Sequence, residues 1–255
     1  MKKKIIVVLV ALVFIAGGVW YSAKHPSVSI PTSSIAGAVL GPDGDFTYQT
    51  TTDFYTTKAV FPSKTSLSHD ADIKARTTME NWIVSAETDF KQMSDDMLSS
   101  EEQTRLKDMQ RMYEMGINYK EYSGDTTVSY VYQIYQDTGG AHPNTMYITF
   151  VFDQNGNKLE LADLFKDDTR YLDKISSIVY PDIVAQSKKR FESELDDMQL
   201  DWIRNGTSPT PESLQFFYID GNNLVIMFPP YQVAAYVAGL FESRIPLADL
   251  KDILK

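Results

Sequence analysis

A histidine in a glycine-containing loop is the first residue of this sequence whose type and setting could support chemistry. Residues 138–144 read Thr-Gly-Gly-Ala-His-Pro-Asn, so Gly139 and Gly140 precede His142 and Asn144 follows it. Glycine reaches backbone conformations that are closed to other residues, and a residue before proline is pushed to an extended conformation. The imidazole of His142 should therefore project from a stiff turn. There it could transfer protons, contact a ligand, or only bond a neighbouring strand.

A second unusual stretch lies near the end of the chain, where Tyr231 follows two prolines and precedes Gln232. A tyrosine beside a rigid turn can stack on a sugar or anchor a protein partner. The alternative is that Tyr231, Tyr236 and Phe241 close the hydrophobic core after the last hairpin. We predict no catalytic residue, and the residues that we predict to bind a ligand are Gly139, Gly140, His142, Asn144, Tyr231 and Gln232.

Metal and cofactor chemistry finds no support in the sequence. The chain has three scattered histidines and no cysteine, so a zinc site is not expected. Residues 153–157 imitate the start of a calcium loop, but Lys158 and Leu164 occupy the positions that need glycine and glutamate. We therefore interpret this stretch as a hairpin turn, and we predict no metal site and no cofactor.

Acidic pairs and serines are the other candidates for catalysis. The acidic pairs at residues 95–96, 101–102 and 196–197 lie in polar, helix-rich sequence, which is typical of solvated helix faces. A glycoside hydrolase needs two acids across a cleft, one of them with a raised pKa. The serines show no nucleophile-elbow pattern. The sequence therefore favours a protein that is not an enzyme.

Two strands must position the histidine loop. Residues 127–135 and 145–152 both alternate in side-chain character, which predicts a β-strand on either side of the loop. Asn155-Gly156 then predicts a tight hairpin that leads to a short strand at residues 158–161. A further hairpin over residues 214–228 leads into the tyrosine stretch.

Helical patterns cover residues 70–93 and a second segment that ends near residue 115. Residues 167–204 are also helical in pattern, with an interruption at Pro181 because proline cannot support an interior helix bond. These helices alternate with local hairpins. The sequence therefore predicts an α+β fold, in which an antiparallel sheet built from hairpins carries the helices on one side.

The N-terminus has the pattern of a membrane segment. Three lysines follow Met1, and residues 5–23 then carry no charge, which is about the length of a membrane-spanning helix. We predict a signal anchor, a transmembrane helix, at residues 1–24 with its lysines in the cytoplasm, and a linker at residues 25–45. This prediction places the rest of the chain outside the cytoplasm. The protein is then held at the cell membrane by a single transmembrane segment, or it is secreted if that segment is cleaved as a signal peptide.

The chain is acidic beyond its first 25 residues. That part holds 20 lysines and arginines against 34 aspartates and glutamates, which gives a net charge of −14. Nucleic acid is therefore not expected as a partner, because its binding needs a basic surface. A basic partner protein would be attracted. Acidity also keeps a secreted domain soluble, so the charge by itself does not require a partner.

The loop and the tyrosine stretch together resemble a bacterial extracytoplasmic domain of unknown function. That domain occurs in lysozyme-sensing anti-sigma factors and in front of the catalytic domain of some peptidoglycan deacetylases. The resemblance rests on the loop at residues 138–142, on Asp-Leu-Phe at residues 163–165, and on Phe-Pro-Pro-Tyr-Gln-Val within residues 228–239. It implies a strand–helix subdomain at residues 46–122 and a C-terminal α+β domain, with the Gly-Gly-Ala-His loop, at residues 123–255.

Two departures limit what this resemblance implies. Four residues precede the apolar run, which is too few to hold a sigma factor, and no deacetylase catalytic domain follows. We therefore expect no sigma-factor partner. We expect a non-catalytic, membrane-anchored module of the cell envelope that binds a wall glycan or a basic protein such as lysozyme. The alternatives are a peptidoglycan hydrolase or deacetylase that uses His142, and a purely structural envelope protein.

Overall fold

The computed structural model describes residues 35–167 and 169–255, and these residues form one compact unit. The signal anchor predicted at residues 1–24 and the first half of the predicted linker lie outside the described residues. Within the part of the chain that the structure describes, no helix is long and apolar enough to cross a membrane.

The described residues form an α+β fold with two sheets, which confirms the predicted fold class. The large sheet has seven strands in sequence order, β1 Val39–Leu40, β2 Asp45–Thr51, β3 Tyr55–Pro62, β4 Tyr113–Ser123, β5 Thr127–Asp137, β6 Asn144–Asp153 and β7 Lys158–Leu159. The small sheet has the order β10-β9-β8, with β8 Phe217–Asp220, β9 Asn223–Phe228 and β10 Phe241–Pro246. The helices are α1 His69–Met97, α2 Ser100–Met109, α3 Tyr171–Phe191 and α4 Asp197–Gly206, with short 3-10 helices at Leu161–Leu164, Tyr236–Ala238 and Leu247–Leu250.

Strands β3 and β4 are parallel neighbours, whereas the other pairs of described strands are antiparallel. Parallel strands need a long crossover connection, and helices α1 and α2 supply it here. The predicted sheet of hairpins is therefore correct for most pairs and wrong for this one. Hairpin signals are local, while the β3–β4 pair joins Tyr55 to Tyr113 across two helices.

The second predicted helix ends earlier than the sequence pattern indicates. Helix α2 stops at Met109, Gln110 takes a left-handed conformation with a φ of 50°, and β4 begins at Tyr113. Alternate residues of β4, including Met115 and Ile117, are buried in the core that contains α1. The predicted helix end near residue 115 is wrong because long-range strand pairing outweighs local helix propensity.

The two sheets are stacked, and helices cover their outer faces. Successive residues of a strand point to opposite sides. On β5, Tyr130 and Tyr132 pack in the core that contains α1, whereas Val131 packs against the small sheet. The other side of the small sheet packs against α3, where Ile226 and Val179 share one core. The prediction that the helices lie on one side is therefore wrong, because both sheets lie between α1 and α3.

Helix α3 runs through Pro181 instead of ending there. Ile175, Val179 and Ile183 are fully buried at four-residue spacing on both sides of the proline. Burying each such side chain contributes about 1.5–3 kcal/mol, which together outweighs the roughly 3 kcal/mol that an interior proline costs. The helix ends instead at Phe191, so the predicted break is wrong by ten residues.

Strands β4 and β5 pair across the boundary predicted between residues 122 and 123. The buried side chains nevertheless form two main clusters, one around α1 and one around α3 and α4. The division into a subdomain at residues 46–122 and a domain at residues 123–255 stays a prediction.

Candidate functional site

The β5–β6 loop, which carries the predicted histidine, is anchored at one of its two glycines. Gly139 has a φ of 74°, a left-handed conformation that favours glycine. Its N–H donates to Oδ1 of Asp137 at 2.8 Å, and Arg111 donates to the other oxygen of that carboxylate at 2.7 Å. Gly140 is unconstrained, because the nearest atom to an added Cβ would be 4.0 Å away. The loop is therefore fixed at Gly139 and open at Gly140.

Helix α2 supports the loop through Arg105. A Cβ at Gly139 would lie 2.8 Å from Nη2 of this arginine, so the guanidinium packs directly against the turn. Arg105 donates to Glu102 at 2.8 and 2.6 Å, and the Tyr113 hydroxyl donates to the same carboxylate at 2.6 Å. The bonds from Arg105 and then Tyr113 lower the pKa of Glu102 from 4.5 to about 2. Burial, followed by the Glu102 carboxylate, raises the pKa of Tyr113 to about 12.

The segment after β9 holds Tyr231 in an unusual backbone conformation. Its φ is 73°, which is rare for a bulky residue. Trp202 on α4 donates its indole N–H to the Tyr231 carbonyl at 3.0 Å. The amide of Gln232 donates to the carbonyls of Gly206 at 2.9 Å and Ser213 at 2.7 Å. These bonds hold the segment against the end of α4 and leave Tyr231 46% exposed. Such strain costs about 1–3 kcal/mol and collects at functional sites.

The loop and the segment after β9 meet in a cluster of three rings. The imidazole of His142 stacks on the phenol of Tyr236, with centroids 4.2 Å apart and an interplanar angle of 20°. The Tyr231 hydroxyl lies 3.3 Å from Nε2 of His142, and the rings of Tyr231 and Tyr236 are 5.5 Å apart. We call these three residues the aromatic cluster. Its two bonded members, His142 and Tyr231, are 89 residues apart in sequence.

The carbonyl of Pro143 determines how the polar atoms of the aromatic cluster are used. Nδ1 of His142 lies 2.9 Å from this oxygen, and the Tyr236 hydroxyl donates to it at 2.7 Å. Because a carbonyl only accepts, Nδ1 carries the proton in the first bond. Nε2 of the neutral ring is then an acceptor, and the Tyr231 hydroxyl donates to it. The exposed ring surface of Tyr231 and the lone pairs of its hydroxyl remain for a ligand.

Of the six residues predicted to bind a ligand, His142 and Tyr231 are in contact in the structure. The two glycines of the loop shape the turn beside them. Asn144 is exposed at the start of β6. Gln232 uses its amide to join α4 to the next loop, which is a structural use of both its N–H groups. Ligand binding by these residues stays a prediction.

Sequence reasoning missed two residues of this site. The alternative interpretation of the sequence places Tyr236 with Phe241 in the core, but only Phe241 is fully buried, and Tyr236 belongs to the aromatic cluster. Trp202 did not enter the prediction at all. It is 37% exposed and lies beside Ile203, the buried residue of α4. A tryptophan outside the apolar face of an amphipathic helix was the signal that could have found it.

The stretch interpreted as a hairpin turn is confirmed as one. The Asp153 carboxylate accepts from the backbone N–H groups of Asn155 and Asn157, both at 2.8 Å, and from the Asn157 amide at 2.7 Å. These bonds stabilise the turn between β6 and β7. Among residues 35–167 and 169–255, no three histidine, aspartate or glutamate side chains are grouped so that they could hold a metal ion.

A cleft of about 420 Å³ lies at the other end of β5, away from the aromatic cluster. Apolar side chains such as Ile219, Leu247 and Leu254 line it, together with Asp153 and Thr127. The Thr127 hydroxyl has no hydrogen-bond partner in the described structure. None of the residues predicted to bind a ligand lines this cleft.

Comparison with known families supports the predicted resemblance. Residues 162–248, about a third of the chain, match the family described as a protein of unknown function, DUF3298. The peptidoglycan-N-acetylmuramic acid deacetylase PdaC of Bacillus subtilis is 35% identical over 144 residues. That match covers 56% of this chain but only 29% of the deacetylase. The predicted resemblance to a domain of unknown function that is shared with a peptidoglycan deacetylase is therefore confirmed.

Two solved structures of DUF3298 proteins share the fold. One, from Bacteroides fragilis, has a TM-score of 0.57 at 17% identity and covers 83% of this chain and 92% of its own. The other, from Pseudomonas aeruginosa, has a TM-score of 0.55 at 14% identity and covers 90% of this chain and 96% of its own. At these identities the likeness shows the fold alone.

Proposed function

We propose that this chain is a non-catalytic recognition module of the bacterial cell envelope, which is anchored in the membrane by residues 1–24 and displayed outside the cytoplasm. Its binding surface is the aromatic cluster together with the loop at residues 139–144. The likeness to part of a peptidoglycan deacetylase supports an envelope role, and the apolar N-terminal run supports the anchor.

One observation carries the proposal. Two stretches far apart in sequence meet to present His142, Tyr231 and Tyr236 as a partly exposed group of rings. Three sets of contacts hold this group in place, from Arg105, from Trp202 and from the Pro143 carbonyl. Rings that are fixed in advance bind at a lower entropic cost than mobile ones. A protein that only needed to close its core would bury the rings instead.

The partner that we propose is a wall glycan or a basic protein such as lysozyme. Aromatic faces stack on the apolar faces of sugars and also anchor protein partners, so the aromatic cluster suits both. The net charge of −14 beyond residue 25 supports a basic protein, because it would speed the encounter. The substrate named for the deacetylase relative supports a glycan.

The alternative is a peptidoglycan hydrolase or deacetylase that uses His142 as its acid–base group. In such an enzyme a carboxylate commonly holds and orients the imidazole that transfers the proton. The groups at the two ring nitrogens are the Pro143 carbonyl and the Tyr231 hydroxyl. This arrangement favours a recognition role for His142.

Calorimetry of the purified chain with lysozyme and with soluble peptidoglycan fragments, at two salt concentrations, tests the proposal. We expect saturable binding that His142→Ala and Tyr231→Gly both weaken. Glycine at position 231 removes the ring and suits the left-handed backbone, so it should not unfold the segment. His69→Ala is the matched control, because His69 is an exposed histidine at the start of α1.

The salt series separates the two partners. Binding to lysozyme should weaken at higher salt if the acidic surface contributes, whereas binding to the peptidoglycan fragments through ring stacking should not weaken. A folded chain that binds neither partner would refute the recognition role. The enzyme would be established instead if the chain released acetate from the fragments or cleaved them, and if His142→Ala abolished that activity without changing the melting temperature.

A further inference from the structure

The small sheet covers only part of the face that the large sheet turns towards it. On this face the Ser129 hydroxyl accepts from the N–H of Ile219 at 3.0 Å, and the Thr149 hydroxyl accepts from the N–H of Phe217 at 3.3 Å. Val131, which pairs with Thr149, is 9% exposed. Beyond these residues Tyr147 still packs partly against the small sheet. Asn118, Gln133 and Tyr135 are exposed, so the part of β4 and β5 nearest to the aromatic cluster is open.

Two cross-strand rows make up the open part of this face. Strand pairing places side chains of three neighbouring strands side by side in each row. The rows are Gly116–Tyr135–Thr145 and Asn118–Gln133–Tyr147. The strands are about 4.8 Å apart and the two rows are about 7 Å apart, so the open face measures roughly 10 by 7 Å between Cα positions.

The open face presents an aromatic ring and two unused amides. Tyr135 is 37% exposed beside Gly116, which has no side chain to cover it. Asn118 and Gln133 are both exposed, and the described structure gives neither amide a hydrogen-bond partner. No side chain in the two rows is charged. The next row, towards the loop, is charged, and its Asp137 is already paired with Arg111.

The open face is continuous with the aromatic cluster. The Tyr236 hydroxyl donates to the carbonyl of Pro143 at 2.7 Å while its ring stacks on His142. Thr145 of the first row lies two residues after Pro143 on the same chain segment. The aromatic cluster therefore adjoins the open face along β6.

We propose that this continuous surface binds an extended, uncharged polysaccharide chain, with one sugar on the aromatic cluster and the next sugars on the open face of β4–β6. The proposal rests on the recognition role proposed above and names its ligand class. Sugar rings combine apolar faces, which stack on tyrosines, with hydroxyl and amide groups, which pair with exposed asparagine and glutamine side chains. A basic protein would pair with carboxylates, and the two rows themselves contain none, since Glu114 and Glu242, which act on the row tyrosines, lie outside them.

Titration of the purified chain with β-1,4-linked N-acetylglucosamine oligomers, from the monomer to the hexamer, tests this inference. We expect affinity to rise with length until the surface is filled. Replacing both amides, Asn118→Ala with Gln133→Ala, should weaken hexamer binding about tenfold or more because two hydrogen bonds are lost. Monomer binding should not change. Gln154→Ala is the matched control, an exposed amide in the β6–β7 turn at the far end of the sheet.

The outcomes distinguish this inference from the proposed function. A hexamer that binds no more tightly than the monomer, or that ignores the two amide substitutions, overturns the extended surface. If His142→Ala still abolishes binding of the oligomers in that case, the recognition role stands. Binding of lysozyme without binding of any oligomer overturns the polysaccharide and leaves a protein-recognition module. A folded chain that binds neither overturns both. Melting temperatures equal to that of the unchanged protein show that the exposed substitutions preserve the fold.

Discussion

Replacing Gly139 by alanine tests whether the left-handed turn of the β5–β6 loop supports the aromatic cluster. The φ of 74° costs a residue with a Cβ about 1–2 kcal/mol. The new Cβ would also lie 2.8 Å from Nη2 of Arg105, so the guanidinium must shift away from its two bonds to Glu102. Weakening such bonds costs about 1 kcal/mol more.

The expected loss of unfolding free energy is therefore about 2–3 kcal/mol, which corresponds to a fall in Tm of about 4–12 °C for a unit of this size. The assay is thermal unfolding of Gly139→Ala beside Gly140→Ala. Gly140 has no positive φ, and an added Cβ there would contact nothing within 4.0 Å except the His142 carbonyl oxygen at that distance. Gly140→Ala should leave Tm unchanged or raise it slightly, because it restricts the unfolded chain.

The Gly139→Ala and Gly140→Ala variants can also be compared in ligand binding. If the turn positions His142, then Gly139→Ala should weaken ligand binding at a temperature where the protein is still folded, and Gly140→Ala should not. Equal stability and equal binding of the two variants would refute the reasoning that the left-handed turn holds the loop.

Three further predictions concern residues that support the site or the fold. Glu102 should stabilise the folded protein at pH values above 4.5, and that contribution should be lost as the pH falls from 4.5 to about 2, because its pKa is lowered in the folded state. Melting curves across this window should fall less for Glu102→Gln, and parallel curves would contradict the assignment. Gln232→Ala should lower the free energy of unfolding, measured by chemical denaturation, by about 1–3 kcal/mol, because the carbonyls of Gly206 and Ser213 lose their donor. A change below about 0.5 kcal/mol, which is the range of ordinary surface substitutions, would show that water replaces the Gln232 amide. Gly156→Ala should lower the free energy of unfolding by about 2–3 kcal/mol or more, since a Cβ there would lie 2.3 Å from the carbonyl oxygen of residue 71 and the φ is 71°. An unchanged Tm would show that the hairpin can move away from α1.

Local signals predicted the parts of the fold that depend on neighbouring residues. The strands on either side of the histidine loop are close to their predicted bounds, because alternation and turn residues act within a few positions. The break at Pro181 and the helix near residue 115 failed for one reason. In each case a buried contact made by distant parts of the chain is worth more than the local preference.

The sequence by itself determined the α+β class, the hairpins and the resemblance to a domain of unknown function, and it singled out His142 and Tyr231. All of these depend on residue types at fixed, short spacings. Only the tertiary structure decided that His142 meets Tyr231 and Tyr236, that Trp202 holds the tyrosine backbone, and that the small sheet leaves part of the large sheet open. Those contacts depend on how the two sheets stack, and no local pattern specifies a packing that joins residues 89 positions apart.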